Sequence, residues 1–185
     1  GGSIGNEAVA EAPFEVTHGD DTVTVTRWMT GIEPPPFWAK QLGKPGLVDR
    51  WQIIHFQGPC TVNIDVGVAP TGTGAPEGDR SQGVNGYVLN TITPETDKTC
   101  HYFWSFVRNH RLTEQKLTTE IREGVSGIFG EDEVILEAQQ RAMDENPGRV
   151  FYNLNIDAGA MWARRMIDRM VAKEQPPSPT MQAAE

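Results

Sequence analysis

The residue whose position most suggests chemistry is an acidic one, Asp132. It lies four residues after Ile128 and three before Ile135, so a helix would carry its carboxylate on the same face as these apolar side chains. A lone ionised carboxylate in such a place costs free energy through desolvation unless it is paired, protonated or bound to a cation. Two interpretations stay open. In the first, Asp132 pairs with an arginine or is solvated at the edge of the apolar face, beside Glu131 and Glu133. In the second, Asp132 is a metal ligand.

The histidines do not complete a metal site. His18 lies in a predicted turn and His110 beyond the end of a predicted strand, whereas His55 and His101 lie on different strands and could each face the concave side of a sheet. For a half-buried histidine, a hydrogen-bonded structural role is commoner than metal binding. Composition and spacing alone therefore provide one candidate carboxylate and no full set of metal ligands.

Composition excludes several classes of protein. The 185 residues contain 16 Lys+Arg against 25 Asp+Glu, a net charge of −9, so no positive field is available for nucleic acid. No apolar run is long enough to span a membrane. Cys60 and Cys100 belong to no Cys-x-x-Cys or Cys-x-His pair, which argues against a disulfide framework or an iron–sulfur cluster within this chain. We expect a cytoplasmic protein with both thiols reduced.

The elements that would position these residues fall into two groups. The first part of the chain alternates with a period of two and predicts a meandering antiparallel sheet. Its strands are predicted over residues 14–17, 22–29, 51–56, 60–68, 84–92 and 99–107. A short helical turn is predicted at 37–42, and a loop rich in glycine and proline, residues 70–82, is expected to be mobile.

The second part has helical spacing. Apolar residues recur every three or four positions from Ile121 and predict a helix that ends near 146–148. Another helix is predicted from about Asp157, and residues 174–185 are predicted to be a flexible tail. Strands followed by helices indicate an α+β domain, with a curved antiparallel sheet packed on long C-terminal helices.

Three segments carry a resemblance to a known family. Residues 93–104 (TPETDKTCHYFW), the Arg108-Asn109 pair and residues 131–140 (EDEVILEAQQ) resemble the C-terminal catalytic portion of Rieske non-haem iron oxygenases, in the vanillate O-demethylase and dicamba monooxygenase branch. The opening residues 3–11 resemble the stretch just after that branch's paired iron-binding histidines. The resemblance implies a helix-grip fold and a catalytic domain over residues 1–173.

The resemblance also implies a cofactor. In such enzymes two histidines and one carboxylate on a later helix hold a mononuclear Fe(II), and Asp132 matches the carboxylate. The histidine pair and the Rieske [2Fe-2S] motifs are not in this sequence, so we expect them in a part of the polypeptide that precedes it. On its own this chain is expected neither to retain iron tightly nor to receive electrons.

The implied activity is oxidative O-demethylation of a vanillate-like aromatic acid or ether by dioxygen, with release of formaldehyde. The resemblance further implies a flavin and iron–sulfur reductase that uses NAD(P)H, and a homotrimer. Ring hydroxylation, sulfonate-methyl oxidation or N-dealkylation on the same scaffold remains an alternative, because the iron ligands are shared. A different alternative is a non-catalytic helix-grip carrier of hydrophobic ligands.

Substrate contacts are predicted from the same resemblance and from aromatic content. Asn90 matches a position that is a substrate-binding histidine elsewhere in the branch, and here it offers a neutral amide. Trp51, Tyr102 and Trp104 could wall an aromatic pocket or belong to the core.

A substrate carboxylate could be bound if a cationic side chain reached the cavity. The candidates are Arg27, Arg50 and His55.

Overall fold

The computed structural model describes residues 12–150 and 152–174. Within them, six strands form one antiparallel sheet whose spatial order follows the sequence, which confirms the predicted meander. The strands are β1 Phe14–His18, β2 Thr22–Ile32, β3 Val48–Gln57, β4 Thr61–Pro70, β5 Val84–Pro94 and β6 Cys100–Arg108.

Helices occur where the sequence pattern changes. They are α1 Pro36–Leu42, α2 Gln115–Glu145 and α3 Ala158–Glu174, and a short 3-10 turn at Asn155–Asp157 precedes α3. The helix over the second half was therefore predicted correctly, although it begins before the first residue of the apolar stripe. The predicted tail beyond Glu174 lies outside the described residues. None of the described helices is both long and apolar enough to cross a bilayer.

One face of the sheet is covered by the helices. Cross-strand partners share a face, so the register places Val66, Val68, Val84 and Val88 together, where they pack with Trp38 of α1.

The two long helices also contribute buried residues to this helix-facing side of the sheet. Leu117 and Ile121 of α2 are buried, as is Met166 of α3. A side chain at Gly159 of α3 would collide with Val25, so the backbone of α3 lies directly on β2.

The opposite face is covered in part by the loop between β4 and β5. Ala75 of this loop is fully buried against Trp51, and Arg80 bonds Asp65 with 2.6 Å between Nη1 and Oδ2. Arg80 also lies over the Trp51 ring, 4.6 Å from its centroid. The loop that its composition predicted to be mobile is thus anchored by a buried methyl group and an ion pair.

The second half of α2 extends past the sheet. Ile135 and Leu136, which belong to the apolar stripe, are 67% and 61% exposed. Every residue from 131 to 145 is exposed. The stripe is therefore covered along its first half only.

Candidate substrate pocket and metal ligand

The buried amide of Asn90 is the polar centre of the helix-facing side. In β5 the residues Val84, Gly86, Val88 and Asn90 alternate with less buried ones, so Asn90 occupies a position where the pattern calls for an apolar residue. It is 5% exposed, and its Nδ2 donates to the main-chain oxygens of Val62 and Val88, each at 3.3 Å. Because buried polar groups need partners, these bonds fix the orientation of the amide.

Tyr102 completes the hydrogen bonding of that amide. Its hydroxyl donates to Oδ1 of Asn90 at 2.6 Å. The two residues are diagonal neighbours, because Asn90 pairs with Trp104 and Ile92 pairs with Tyr102. Tyr102 itself remains 45% exposed.

An aromatic slot lies beside this pair. The ring of Phe129 on α2 lies edge-on to Tyr102 and Trp104 on β6, with centroid distances of 5.6 and 5.4 Å. Edge-to-face contacts of this kind are favourable beyond the apolar area that they bury. These three rings are called the slot below, and Asn90 is hydrogen-bonded to one of them, Tyr102.

Asp132 follows Phe129 by one helical turn. Its carboxylate is exposed, and no cation of the described residues lies within ion-pair distance of it. Burial and the negative charge of Asp132 raise the pKa of Tyr102. The structure does not show the buried carboxylate that the spacing suggests, because Asp132 is exposed, and its role as a metal ligand stays a prediction.

The described residues contain no cluster of three His, Cys, Asp or Glu side chains that could hold a metal ion. His18 stacks on Trp162 of α3, with 3.6 Å between ring centroids. His110 bonds its neighbour Asn109. Within the described part of the chain, Asp132 is thus a candidate ligand without histidine partners.

Comparisons with known proteins identify the family of this chain. The family model of the vanillate O-demethylase oxygenase C-terminal domain matches residues 1–173. The chain belongs to this family. The match confirms the resemblance to the C-terminal portion of Rieske oxygenases.

Individual relatives are consistent with the family. The chain is 43% identical to a vanillate O-demethylase oxygenase subunit of Pseudomonas sp. (strain HR199 / DSM 7063), with 94% of the chain and 50% of the relative aligned. It is 35% identical to a toluene-4-sulfonate monooxygenase system iron-sulfur subunit of Comamonas testosteroni, over 85% of the chain and 46% of the relative. The chain therefore spans about half the length of these relatives.

A solved structure shows the same fold. The crystal structure of dicamba monooxygenase with non-haem iron and dicamba superposes with a TM-score of 0.74 at 27% identity, over 87% of this chain and 49% of that one. This likeness confirms the α+β class with a curved antiparallel sheet and helix-grip arrangement.

Within this vanillate O-demethylase type of domain, the predicted pocket residues divide between the two faces. Asn90, Tyr102 and Trp104 come together on the helix-facing side. Trp51 and His55 project from the opposite face, where Trp51 donates its indole N–H to Asp65 at 2.8 Å and His55 bonds Thr24 at 3.0 Å. The sheet separates both side chains from the slot. Their role as substrate contacts stays a prediction.

Arg27 and Arg50 do project towards the helices. Arg27 lies over the ring of Phe14, 5.4 Å from its centroid, and is three strands away from Asn90 in the order of the sheet. Arg50 is 1% exposed, and burial lowers the pKa of its guanidinium. Both share a face with the slot without lining it.

Sequence analysis missed two features of the slot. Phe129 is not among the predicted site residues, although its position three residues before Asp132 is a usable signal. The bond between Tyr102 and Asn90 was not predicted, yet the period-two pattern of β5 places a polar residue in a buried row.

Proposed function

We propose that this chain is the substrate-binding and iron-binding part of an oxygenase that removes the methyl group of a methoxy-substituted aromatic acid. The observation that carries the proposal is the cluster of three aromatic rings, Tyr102, Trp104 and Phe129, in which Phe129 lies about one helical turn before Asp132 on α2. The 43% identity to a vanillate O-demethylase oxygenase subunit supports the same substrate class.

The proposed reaction is a four-electron reduction of dioxygen. An aryl methyl ether, O₂, NAD(P)H and a proton give the phenol, formaldehyde, water and NAD(P)⁺. Two electrons come from the methyl carbon as it becomes formaldehyde, and two come from the nicotinamide cofactor through a flavin and iron–sulfur reductase. The slot would hold the ring while Asn90 and Tyr102 set its orientation.

The residues present do not by themselves fit an iron site. The described part of the chain supplies Asp132 as a candidate carboxylate but no group of three His, Cys, Asp or Glu side chains that could hold a metal ion. We propose that a histidine pair, and a Rieske [2Fe-2S] cluster, lie in polypeptide that precedes Gly1. The dicamba monooxygenase structure with non-haem iron supports an iron cofactor for this kind of domain.

Three further features of the protein belong to the same proposal. Residues 1–173 form the catalytic domain, the location is cytoplasmic, and the assembly is a homotrimer. Size-exclusion chromatography with light scattering on the complete subunit tests the last of these, because a monomer or dimer would contradict it.

The proposal is tested on the complete subunit encoded by the gene, with its reductase. We expect vanillate to yield formaldehyde in proportion to NAD(P)H consumed. Asp132→Asn should lose most of its bound iron, as measured by metal analysis, because one charged ligand is replaced by a neutral amide. Asp144→Asn, the same change on the same helix at an exposed ion pair with Lys98, is the matched control and should retain iron.

Two results would overturn parts of the proposal. Equal iron content in Asp132→Asn and the parent would remove Asp132 from the ligand set, and an absence of iron in the parent would favour a non-catalytic carrier of hydrophobic ligands. Iron without formaldehyde from any methoxybenzoate would favour another oxidation on this scaffold. The relative named for toluene-4-sulfonate makes methyl or ring oxidation the second candidate, and product analysis separates the two.

A further inference from the structure

We infer that Arg108 is the positioning residue of α2, and that it fixes the rotation of this helix and so the direction in which the helix presents Phe129. Arg108 and Asn109 form one of the segments that resemble the family, yet neither belongs to the slot. The effect on the helix is independent of any reaction. Its consequence for turnover rests on the proposed function.

The guanidinium of Arg108 connects the end of β6 with the first turn of α2. Its Nε donates to the main-chain oxygen of His110 at 3.0 Å, and its Nη2 lies within hydrogen-bond distance of three further acceptors. These are the main-chain oxygens of Arg111 (3.0 Å) and Glu114 (3.3 Å) and the Oγ1 of Thr118 (3.0 Å). A planar guanidinium carries its donors in fixed directions, so it holds these acceptors in one arrangement.

The start of α2 has no ordinary cap. Its N-cap residue, Glu114, makes no capping hydrogen bond with its side chain, and the first turn carries no acidic residue. The Glu114 carboxylate instead accepts from Arg111, whose main chain has a φ of 48°. A residue other than glycine is strained in this left-handed region and persists there only where surrounding contacts hold it. The contacts of Arg108 with three main-chain oxygens of residues 110–114 are such contacts.

The contact with Thr118 sets the rotation of α2 about its own axis. Phe129 follows Thr118 by eleven residues, about three full turns at 3.6 residues per turn, so the two side chains lie on one face of the helix. A helix whose Thr118 is held at the end of β6 therefore directs Phe129 towards the same strand, where its ring meets Trp104. Asp132 is three residues further along, so a rotation that displaces Phe129 displaces Asp132 as well.

Asn109 fixes the end of the strand from which Arg108 acts. Its main-chain N–H donates to the oxygen of Asn85 at 3.3 Å, and its side-chain Oδ1 accepts from the N–H of Asn85 at 3.0 Å. A side-chain oxygen thus takes the place of a main-chain acceptor, and the pairing of β5 with β6 continues past Arg108. The main chain of Arg108 is therefore held by the sheet while its side chain holds the helix.

The test is amide hydrogen exchange of the complete subunit, followed by mass spectrometry. Arg108→Gln should raise exchange in peptides from residues 119–130 about tenfold and leave β2 to β4 as in the parent, because charge-assisted hydrogen bonds to the helix are lost while the sheet keeps its core. Thr118→Val removes the hydroxyl on α2, keeps the shape of the side chain and should give the same local change. Arg141→Gln is the matched control, since it is the same change at an exposed pair on α2, 3.6 Å from Glu137, and should leave exchange unchanged.

Turnover provides a second measurement. With vanillate as the probe, Arg108→Gln should lower kcat for formaldehyde release at least about tenfold and change KM less, because a displacement of about 1 Å at a reacting centre is enough for such a loss. A kcat equal to that of the parent, in a variant whose α2 exchange has risen, would overturn the role of Arg108 in turnover.

Unchanged exchange of α2 in both Arg108→Gln and Thr118→Val would overturn the inference. An equal rise in the strands would also overturn it, because Arg108 would then contribute to overall stability only. If Arg108→Gln fails to fold, Thr118→Val decides the matter. A local rise in α2 without formaldehyde from the parent would overturn the proposed function and keep the inference, and formaldehyde from the parent with unchanged exchange in the variants would do the reverse.

Discussion

The ring of Phe129 on α2 meets the ring of Trp104 on β6 edge to face, with 5.4 Å between their centroids. This contact fixes the middle of a helix whose buried residues, Leu117 and Ile121, lie near its start. From Glu131 onwards the helix is exposed, and Asp132 is on the first exposed turn. The contact of Phe129 with β6 therefore helps to set the position of Asp132 relative to the sheet.

Replacement of Phe129 by alanine should lower the free energy of unfolding by about 2 kcal/mol. Complete loss of a buried Phe costs roughly 3–5 kcal/mol, and Phe129 is only half-buried. Affinity for aromatic ligands should fall as well, because one wall of the slot is removed. Urea denaturation followed by tryptophan fluorescence measures the first effect.

The control for this variant is Phe103→Ala. Phe103 lies on the same strand as Trp104 but is 60% exposed on the other face, so its loss should change stability by less than about 0.5 kcal/mol. Equal destabilisation by both changes would show that Phe129 contributes no more than a surface aromatic.

A second prediction concerns the opposite face. Asp65 accepts from the Trp51 indole at 2.8 Å and from Arg80 at 2.6 Å, and its side chain is 8% exposed. Asp65→Asn should destabilise the chain by about 2 kcal/mol, since it removes the charge that compensates a partly desolvated arginine. Urea denaturation at low salt measures the change.

An exposed ion pair provides the comparison. Lys40 and Glu120 are 2.9 Å apart, with side chains 62% and 40% exposed. Lys40→Ala should therefore cost less than about 1 kcal/mol. If it costs as much as Asp65→Asn, burial is not the source of the difference.

Much of the fold follows from local patterns. The alternation in residues 14–107 predicts strands, and short turns between them leave a meander as the simplest pairing, which the structure confirms. The change from a period of two to helical spacing locates α2 and α3. These signals depend on neighbouring residues and can be recognised without tertiary information.

Tertiary contacts explain what the patterns did not predict. Residues 70–82 contain the glycines and prolines of a mobile loop, yet Ala75 and Arg80 reach partners on β3 and β4 that are distant in sequence. The alternation in β3 groups His55 with Trp51, but it does not say which face the helices cover. The helices cover the face that carries Asn90 and not the face that carries His55. The sequence of a single strand does not predict which of its two faces the helices cover.

A third prediction concerns two glycines, one in α2 and one in β4, whose replacement by alanine should change stability in opposite directions. A β-carbon at Gly124 would meet nothing within 4 Å, so Gly124→Ala should stabilise the chain by about 0.5–1 kcal/mol through helix propensity. A β-carbon at Gly67 would lie 2.2 Å from the Trp51 ring and 2.6 Å from the main-chain oxygen of Val84, so Gly67→Ala should cost about 3 kcal/mol. Thermal unfolding of both variants checks the two signs, and a stabilising Gly67→Ala would contradict the packing between β3 and β4.

A final prediction concerns pH. Burial lowers the pKa of His110, and the charges of Arg108 and Arg111 lower it further. In the unfolded chain the ring titrates near its ordinary pKa of about 6.5. Below that pH the unfolded chain binds a proton that the folded chain does not, so stability is full above this value and falls as the pH decreases. We expect a lower urea midpoint at about pH 5.5 than at about pH 7.5.

The variant His110→Asn should flatten this dependence, because it has no proton to bind in either state. Its absolute stability can change with packing, so the comparison is the slope of the midpoint with pH and not its value. Lysine partners lower the pKa values of the Glu120 and Asp144 carboxyls. These carboxyls therefore lose their contributions to stability only at more acidic pH, below the range in which His110 is tested. An identical slope in the parent and His110→Asn would show that another group controls stability between these two pH values.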